Sequence, residues 1–523
     1  MAESRYWECP VALTKKEQFI CSKMKTTGKL FVFLREKRHL IFDDSMNQKL
    51  MAMYADHPKG KPPVPAAMLA MATLLQAYQQ SSDAGTILEV MFDQRWQMVL
   101  NCLGMEGTPF SQGTLCDFRH RLVQHNMDVV LLEHTVNIAK KLGGFGHKQL
   151  RIALDSAPLQ GAGRVEDTFN LVGHALELLV DCAAQLRMIN EEQIIQEAGT
   201  QLVGKSSIKA ALDIDWSTPE EKAQAIHTLM ADVNALRQWL SIQPAFVAEN
   251  KELKESLSLL ERVVTQNIEP DPDGSGSRIK EGVAPERQIS ITDNAMRHGR
   301  KSSSRTINGF KQHIAIDLDS KLILATSVRP ANEPEHRASE HLKPKVLEYG
   351  PVSEMSIDRG YLAASWTAEL YEQGQTITAK PWTPASKGKF SKKAFTINLD
   401  EHRVTCPAGH IQLIRQGNKV ERAHFPAKQC NGCALKAQCT ESEKGRVLTL
   451  HPQEAMLQNL RYHVETKEGR ADARERVKVE HALASVCNRK GPRARYIGLR
   501  LNEYDLNRTA MITNLHISMQ KAA

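Results

Sequence analysis

"VSEMSIDRGYLAASWTAELYEQGQTITAKP", residues 352–381, decides the fold. Its first part is a β-prone run that stops at Asp358. Its middle, "LAASWTAELYEQG", reads as a helix closed by Gly374, and its end, "QTITAKP", is β-prone again. Strand, helix and strand in so short a stretch make a βαβ unit, whose two strands must run parallel. Upstream, "GFKQHIAIDLDSKLILATSV" (309–328) reads as two β-prone runs around "DLDSK", a hairpin. A hairpin beside a parallel pair makes the sheet mixed. "QLRIALDSAPLQ" (149–160) adds a strand: Ile152 to Leu154 are apolar, Asp155 stands at the C-terminal end, and Ser156 and Pro158 signal a turn.

Helical segments flank these strands. "PVPAAMLAMATLLQAYQQSSDAGTILEVMF" (63–92) carries long helix-forming runs after a Pro-rich start, and "SQGTLCDFRHRLVQHNMDVVLLEHTVNIAKKL" (111–142) begins at a Ser cap. Residues from about 167 to 265 are again helical in period. "EPDPDGSGS" (269–277) then reads as a flexible connector, which makes the preceding helical block an insertion. The fold class expected is α/β, a mixed sheet with flanking helices.

The chain has 523 residues, more than one ordinary core accommodates. With 41% hydrophobic and 24% charged residues it is expected to be globular and not disordered. The net charge of +8 permits an anionic partner without demanding one. No apolar run reaches the roughly 18 to 20 residues of a membrane-spanning helix, and "MAESRYWECPVALTKK" lacks the apolar core of a signal peptide. A cytoplasmic location is the expectation. In a reducing compartment the ten cysteines are thiols or metal ligands, not a disulfide scaffold. Cys9, Cys21, Cys102, Cys116 and Cys182 are isolated, but Cys406, Cys430, Cys433 and Cys439 cluster in "VTCPAGH" and "FPAKQCNGCALKAQCT". A Cys-x-x-Cys pair with one cysteine before and one after offers four thiolates for a structural Zn²⁺, with buried or redox-active thiols as the alternative.

Two aspartates, Asp155 and Asp358, terminate expected strands, and Glu480 lies on a helix in "ERVKVEHALASV" (475–486). Any one alone reads as a cap or sheet terminator. Meeting at one sheet edge, they could hold two Mg²⁺ or Mn²⁺ ions for in-line phosphoryl transfer. The helical period puts Val479, Leu483 and Val486 on one apolar stripe and Arg476 one turn from Glu480, and Gly491 and Pro492 should end the helix. From Arg474 to Arg500 eight cations, Arg476, Lys478, Arg489, Lys490, Arg493 and Arg495 among them, face only Glu475 and Glu480. They could grip a phosphate backbone, as could Arg119 in the first helical region. Trp382 could stack on an unpaired base or simply pack.

The ordered motifs "LDSAPL", "NGFKQHIAID", "VRPANEPEH", "SIDRGYL" and "RVKVEHAL" with "RARYIGLRL" resemble those of bacterial insertion-sequence transposases of the DDE type. The N-terminal stretch from "HPKGKPPVPAAMLAMATLLQAYQQSSD" to "PFSQGTLCDFRHRL" is similar to that family's helical leader. The resemblance implies an RNase-H-like core from 146–166, 286–395 and 455–523. It also implies a helical DNA-binding domain over 1–145, a helical insertion and linker over 167–285, and a cysteine-rich, zinc-ribbon-like insertion over 396–454. It places the catalytic triad on Asp155, Asp358 and Glu480 with Mg²⁺ or Mn²⁺, and makes double-stranded DNA the partner of a homodimer. Two positions depart from the family: Ala473 stands where relatives carry a tyrosine and Cys487 where they carry a lysine, for which Lys490 or Arg489 could substitute. Asp293 is a secondary acid, read as structural or DNA-facing. The implied activity is cutting of terminal inverted repeats and transfer of the 3′ ends to target DNA. A nuclease without strand transfer, or a non-catalytic DNA-binding regulator, are the alternatives.

Overall fold

The computed structural model describes residues 6–7, 10–25, 28–54, 62–146, 149–205, 207–272, 274, 276–282, 284–300, 304–382, 388–417 and 420–522. Cys9 lies outside them. In chain order the first strands are β1 (Leu150–Gln160), a short antiparallel hairpin of β2 (Ile268–Pro270) and β3 (Ser277–Ile279), and β4 (Arg297–Arg300). They are followed by β5 (Thr306–Asp317), β6 (Ile323–Pro330), β7 (Val352–Ile357) and β8 (Thr376–Ala379). The central sheet runs β6-β5-β1-β7-β8, with β4 beside the start of β5. β4, β6 and β1 are antiparallel to β5, whereas β7 is parallel to β1 and to β8. The fold is therefore mixed α/β around a mixed sheet.

The sequence places the end of β1 at Asp155, but the strand continues to Gln160. Pro158 does not stop it because the parallel partner β7 has already ended at the Leu154–Ile357 rung. Beyond that rung β1 is bonded to β5 on one side only, and a proline without an N–H is tolerated on the free side. Further on, Gln160 N–H donates to Pro492 O at 3.0 Å and Ala494 N–H to Gln160 O at 2.6 Å. The connector "EPDPDGSGS" differs too. Its ends are the β2–β3 hairpin, with Asp271 N–H bonded to Gly276 O at 2.8 Å.

Helices cover both faces of the sheet. On one face the N-terminal helices share a continuous core with Leu159, Phe310 and Ile314 of the sheet and with the helix Val477–Lys490. On the other, Ile152, Leu154, Met355 and Ile357 pack with Trp366 and Leu370 of the crossover helix Ser365–Glu372. The long helix Leu499–Ala522 is tied in by polar bonds: Asn514 Nδ2 donates to Ile323 O at 2.9 Å while its Oδ1 accepts from Ile323 N at 2.8 Å. Residues 168–268 contribute a separate helical core, and the cysteine-rich segment a five-stranded antiparallel sheet with a small core of Phe395, Val404, Ala423, Phe425 and Leu448. Among the described residues no helix is long and apolar enough to cross a membrane.

One glycine is required where β5 meets the end of β1. Gly309 has φ +146°, and a Cβ there would stand 2.3 Å from Gly161 N, a backbone atom that cannot swing aside. Gly309→Val is expected to lower unfolding free energy by about 2–3 kcal/mol, measurable by chemical denaturation. An unchanged midpoint would show that the β1–β5 junction can relax.

Candidate active site

The register of the parallel pair brings the two aspartates together. Because Leu154 is paired with Ile357, the next residues, Asp155 within β1 and Asp358 just past the end of β7, stand side by side, about one strand spacing of ~4.8 Å apart. Each is turned by its own backbone. Asp155 Oδ1 accepts from Ser156 N at 2.8 Å, and Asp358 Oδ1 from Arg359 N at 2.8 Å, which caps the turn Arg359–Tyr361.

Glu480 comes from the helix Val477–Lys490, which ends at Gly491 as its sequence suggests. Its buried stripe is Val479, Leu483 and Val486. Burying these three apolar side chains contributes on the order of 5 kcal/mol to holding the helix against the sheet. The stripe fixes the rotation of the helix and so turns Glu480 toward the aspartates.

All three carboxylates converge on one guanidinium. Arg476 Nη2 lies 3.4 Å from Asp155 Oδ1, and its Nη1 lies 3.8 Å from both Asp358 Oδ1 and Glu480 Oε1. Side-chain exposure rises from 13% at Asp155 to 43% at Asp358 and 52% at Glu480, so Asp155 forms the floor and the other two the open walls. Burial raises the pKa of Asp155, the Arg476 charge opposes that shift, and the Asp358 and Glu480 carboxylates add to it. The three acids thus already share one cation. They are spread around a guanidinium: among the described residues no group of three or more His, Cys, Asp or Glu is arranged to hold a metal ion. As a donor set, three hard carboxylates in an open cleft nevertheless suit Mg²⁺ or Mn²⁺.

The remaining expected cations divide. Arg493 is exposed, and Arg495 reaches Ser81 O at 2.7 Å. Lys478 pairs with Glu475, the last residue of the preceding helix Lys467–Glu475. Three others are corrected, because the structure commits them to internal contacts. Lys490 is a 1% exposed ion pair with Asp505 at 2.7 Å, Arg119 is 5% exposed and bonded to Asp83 at 2.5 Å, and Arg489 is bonded to His516 at 2.9 Å and stacked over Tyr78. Neither Lys490 nor Arg489 therefore replaces the family lysine, and at its position Cys487 accepts from Gln312 Nε2 at 3.1 Å. Asp293 is buried and accepts from Gly498 N at 3.2 Å, a structural role. Trp382 is partly exposed with its ring 6.2 Å from that of His451.

Cys406, Cys430, Cys433 and Cys439 line one small cavity with His410 and Phe425. Cys406, Cys430 and Cys439 pack against the apolar core of the cysteine-rich sheet, and burial raises the Cys439 pKa. This arrangement does not support the expected zinc site, since the four thiols do not form a group able to hold a metal ion.

The cleft also contains residues that sequence reasoning passed over: Glu335, Lys311 and the exposed Arg300 and Arg359 line it beside the three acids. Arg359 directly follows Asp358 and could have been found from that adjacency. Glu335 gave no signal beyond lying in "VRPANEPEH".

Comparison with known families matches two segments. A "Transposase domain (DUF772)" family covers residues 21–121, and a "Transposase DDE domain" family covers 405–517, which includes Glu480 but neither aspartate. No curated protein and no solved structure matches. With a transposase domain matched toward either end of the chain, the two matches support an insertion-sequence transposase of the DDE type.

Proposed function

We propose that Asp155, Asp358 and Glu480 form the catalytic triad of an RNase-H-like core that cuts the terminal inverted repeats of its own element and transfers the 3′ ends to target DNA. The observation that carries this reading is the convergence of the three acids on Arg476 at 3.4–3.8 Å. The strand order supports it as well: three antiparallel strands followed by two parallel ones, with the first acid on the central strand and the second just past the end of its parallel neighbour.

Divalent Mg²⁺ or Mn²⁺, held by the three carboxylates, supplies activation of water or of a 3′-hydroxyl and stabilises the leaving oxygen. The chain does the rest. Asp155 is fixed by the sheet, Glu480 by the packed helix, and Arg476 balances the acids until a stronger cation competes for them. Arg300 and Arg359 at the cleft rim hold the phosphate backbone, and the N-terminal helices to residue 145 provide further DNA contacts. Two element ends must be held together, so the DNA complex is a homodimer.

Purified protein with its element's end DNA and Mg²⁺ should give a discrete end cut, and with pre-cleaved ends a joined product. Cutting without joining would make it a nuclease, and metal-independent binding alone would make it a regulator. For the rim cations, each of Arg300→Ala and Arg359→Ala should weaken binding across sequences and lower the slope of log K against log salt by about 1. Unchanged slopes in both would place the DNA path elsewhere.

A further inference from the structure

A fourth carboxylate reaches the proposed site from a direction the triad does not use. Glu335 opens the helix Glu335–Leu347, and its Oε1 accepts the Ser156 hydroxyl proton at 2.6 Å. Ser156 is the β1 residue directly after Asp155. The other oxygen lies against the turn after Asp358: a Cβ on Gly360 would stand 1.8 Å from Glu335 Oε2. One carboxylate therefore touches the chain on both sides of the gap, next to Asp155 and two residues past Asp358.

Behind the contact stands Tyr361, the residue after Gly360: its ring is buried and its hydroxyl hydrogen-bonds His313 Nδ1 on β5 at 2.7 Å, which anchors the turn that faces Glu335. Buried polar pairs of this kind hold their members in one arrangement.

Building on the active-site reading above, we infer that Glu335 is a positioning residue that sets the separation of Asp155 and Asp358 through Ser156 and the Gly360 turn. It acts through these neighbours, while the three triad carboxylates meet the metal. Positioning of this kind needs an acceptor of the right shape and not a second charge. The amide oxygen of Gln can still accept from Ser156, whereas Ala cannot. Gly360→Ala keeps every carboxylate but pushes the Glu335 head away from the turn, with no positive φ to complicate the change.

The test is calorimetric titration of the full chain with Mn²⁺, alongside thermal unfolding to confirm that each variant is folded. Asp155→Ala is the control for the underlying reading: if it binds Mn²⁺ as the parent does, the triad assignment itself fails. If Asp155→Ala loses binding, Glu335→Ala, Ser156→Ala and Gly360→Ala should each weaken it about 5–10-fold, a factor matching the ~1 kcal/mol typical of one hydrogen bond. Glu335→Gln should stay within about twofold of the parent. Equal losses in Glu335→Gln and Glu335→Ala would overturn the inference in favour of a direct charge role. Parent-like binding in Glu335→Ala, Ser156→Ala and Gly360→Ala would overturn it altogether.

Discussion

Asp155→Ala should lose at least ~10³-fold in the rate of end cutting with the fold intact, since a bound metal contributes several kcal/mol of charge stabilisation and each 1.4 kcal/mol is tenfold. Asp155 is the acid most committed to the site: it is the least exposed of the three, sits on the central strand, and already bears a raised pKa from burial. Asp358→Asn should act similarly, because its neighbour in the register is Asp155 itself. The measurement is single-turnover cleavage of end DNA in Mg²⁺ with circular dichroism as the folding check. A variant that cuts within tenfold of the parent would remove Asp155 from the chemistry.

The second large effect concerns stability. Asp505 accepts from Arg508 Nε at 2.9 Å and lies 2.7 Å from Lys490 Nζ, and all three side chains are at most 5% exposed. Arg508 also donates to Gln76 Oε1 at 2.5 Å, which links the C-terminal helix to the helix Ala66–Gln79. Asp505→Ala would leave two cations buried with no counter-charge, at a cost of about 3–5 kcal/mol. The pH dependence has a definite sign. Burial pushes the Asp505 carboxyl up, but Arg508 and Lys490 overcome it and hold the group at about 2, below its ordinary 3.8. A lowered folded-state pKa gives stability that is present above about pH 4 and is lost as pH falls toward 2. Asp505→Asn should flatten that acid limb in denaturant titrations. An unchanged limb would assign it to other carboxylates, Glu17 first, which its contact with Arg35 holds at about 2 against burial.

The parts of the architecture legible in sequence were those governed by local pattern. The 352–381 stretch gives a strand, helix and parallel strand because each has its own period and Gly374 closes the helix. The buried faces of Val479, Leu483 and Val486 follow from the same reasoning. Where a partner strand or a distant side chain decides, local pattern misleads. Ser156 and Pro158 look like a turn, yet β1 continues because β5 still pairs with it after β7 has stopped. "EPDPDGSGS" has linker composition, yet its ends, Glu269 and Pro270 on one side and Ser277 on the other, belong to paired strands once Ile268 and Ile279 pair. Asn126, with φ 52°, breaks the 111–142 run into two helices, which its periodicity hides.

The candidate site divides in the same way. The acids stand out because carboxylates after apolar strands are conspicuous. The cations were harder to read, because a run of Lys and Arg does not reveal that Lys490 is matched by Asp505 on the following helix, or that Arg119 is matched by Asp83. The sequence pairs Arg476 with Glu480 and counts it among the cations that could grip phosphate. Its position among all three acids emerges only from the register of two strands and the rotation of one helix. Glu335 was silent for a related reason, since its meaning lies in Ser156 and Gly360, far from it in the chain.

The most direct measurement of the central claim is affinity cleavage of the polypeptide by Fe²⁺ substituted for Mg²⁺, in the presence of ascorbate and peroxide. Locally generated radicals should cut the chain near Asp155, Asp358 and Glu480 together, and excess Mg²⁺ should suppress all three cuts in parallel. Cuts confined to one of these positions, or located in the cysteine-rich segment and indifferent to Mg²⁺, would contradict a shared metal site at the edge of the parallel strands.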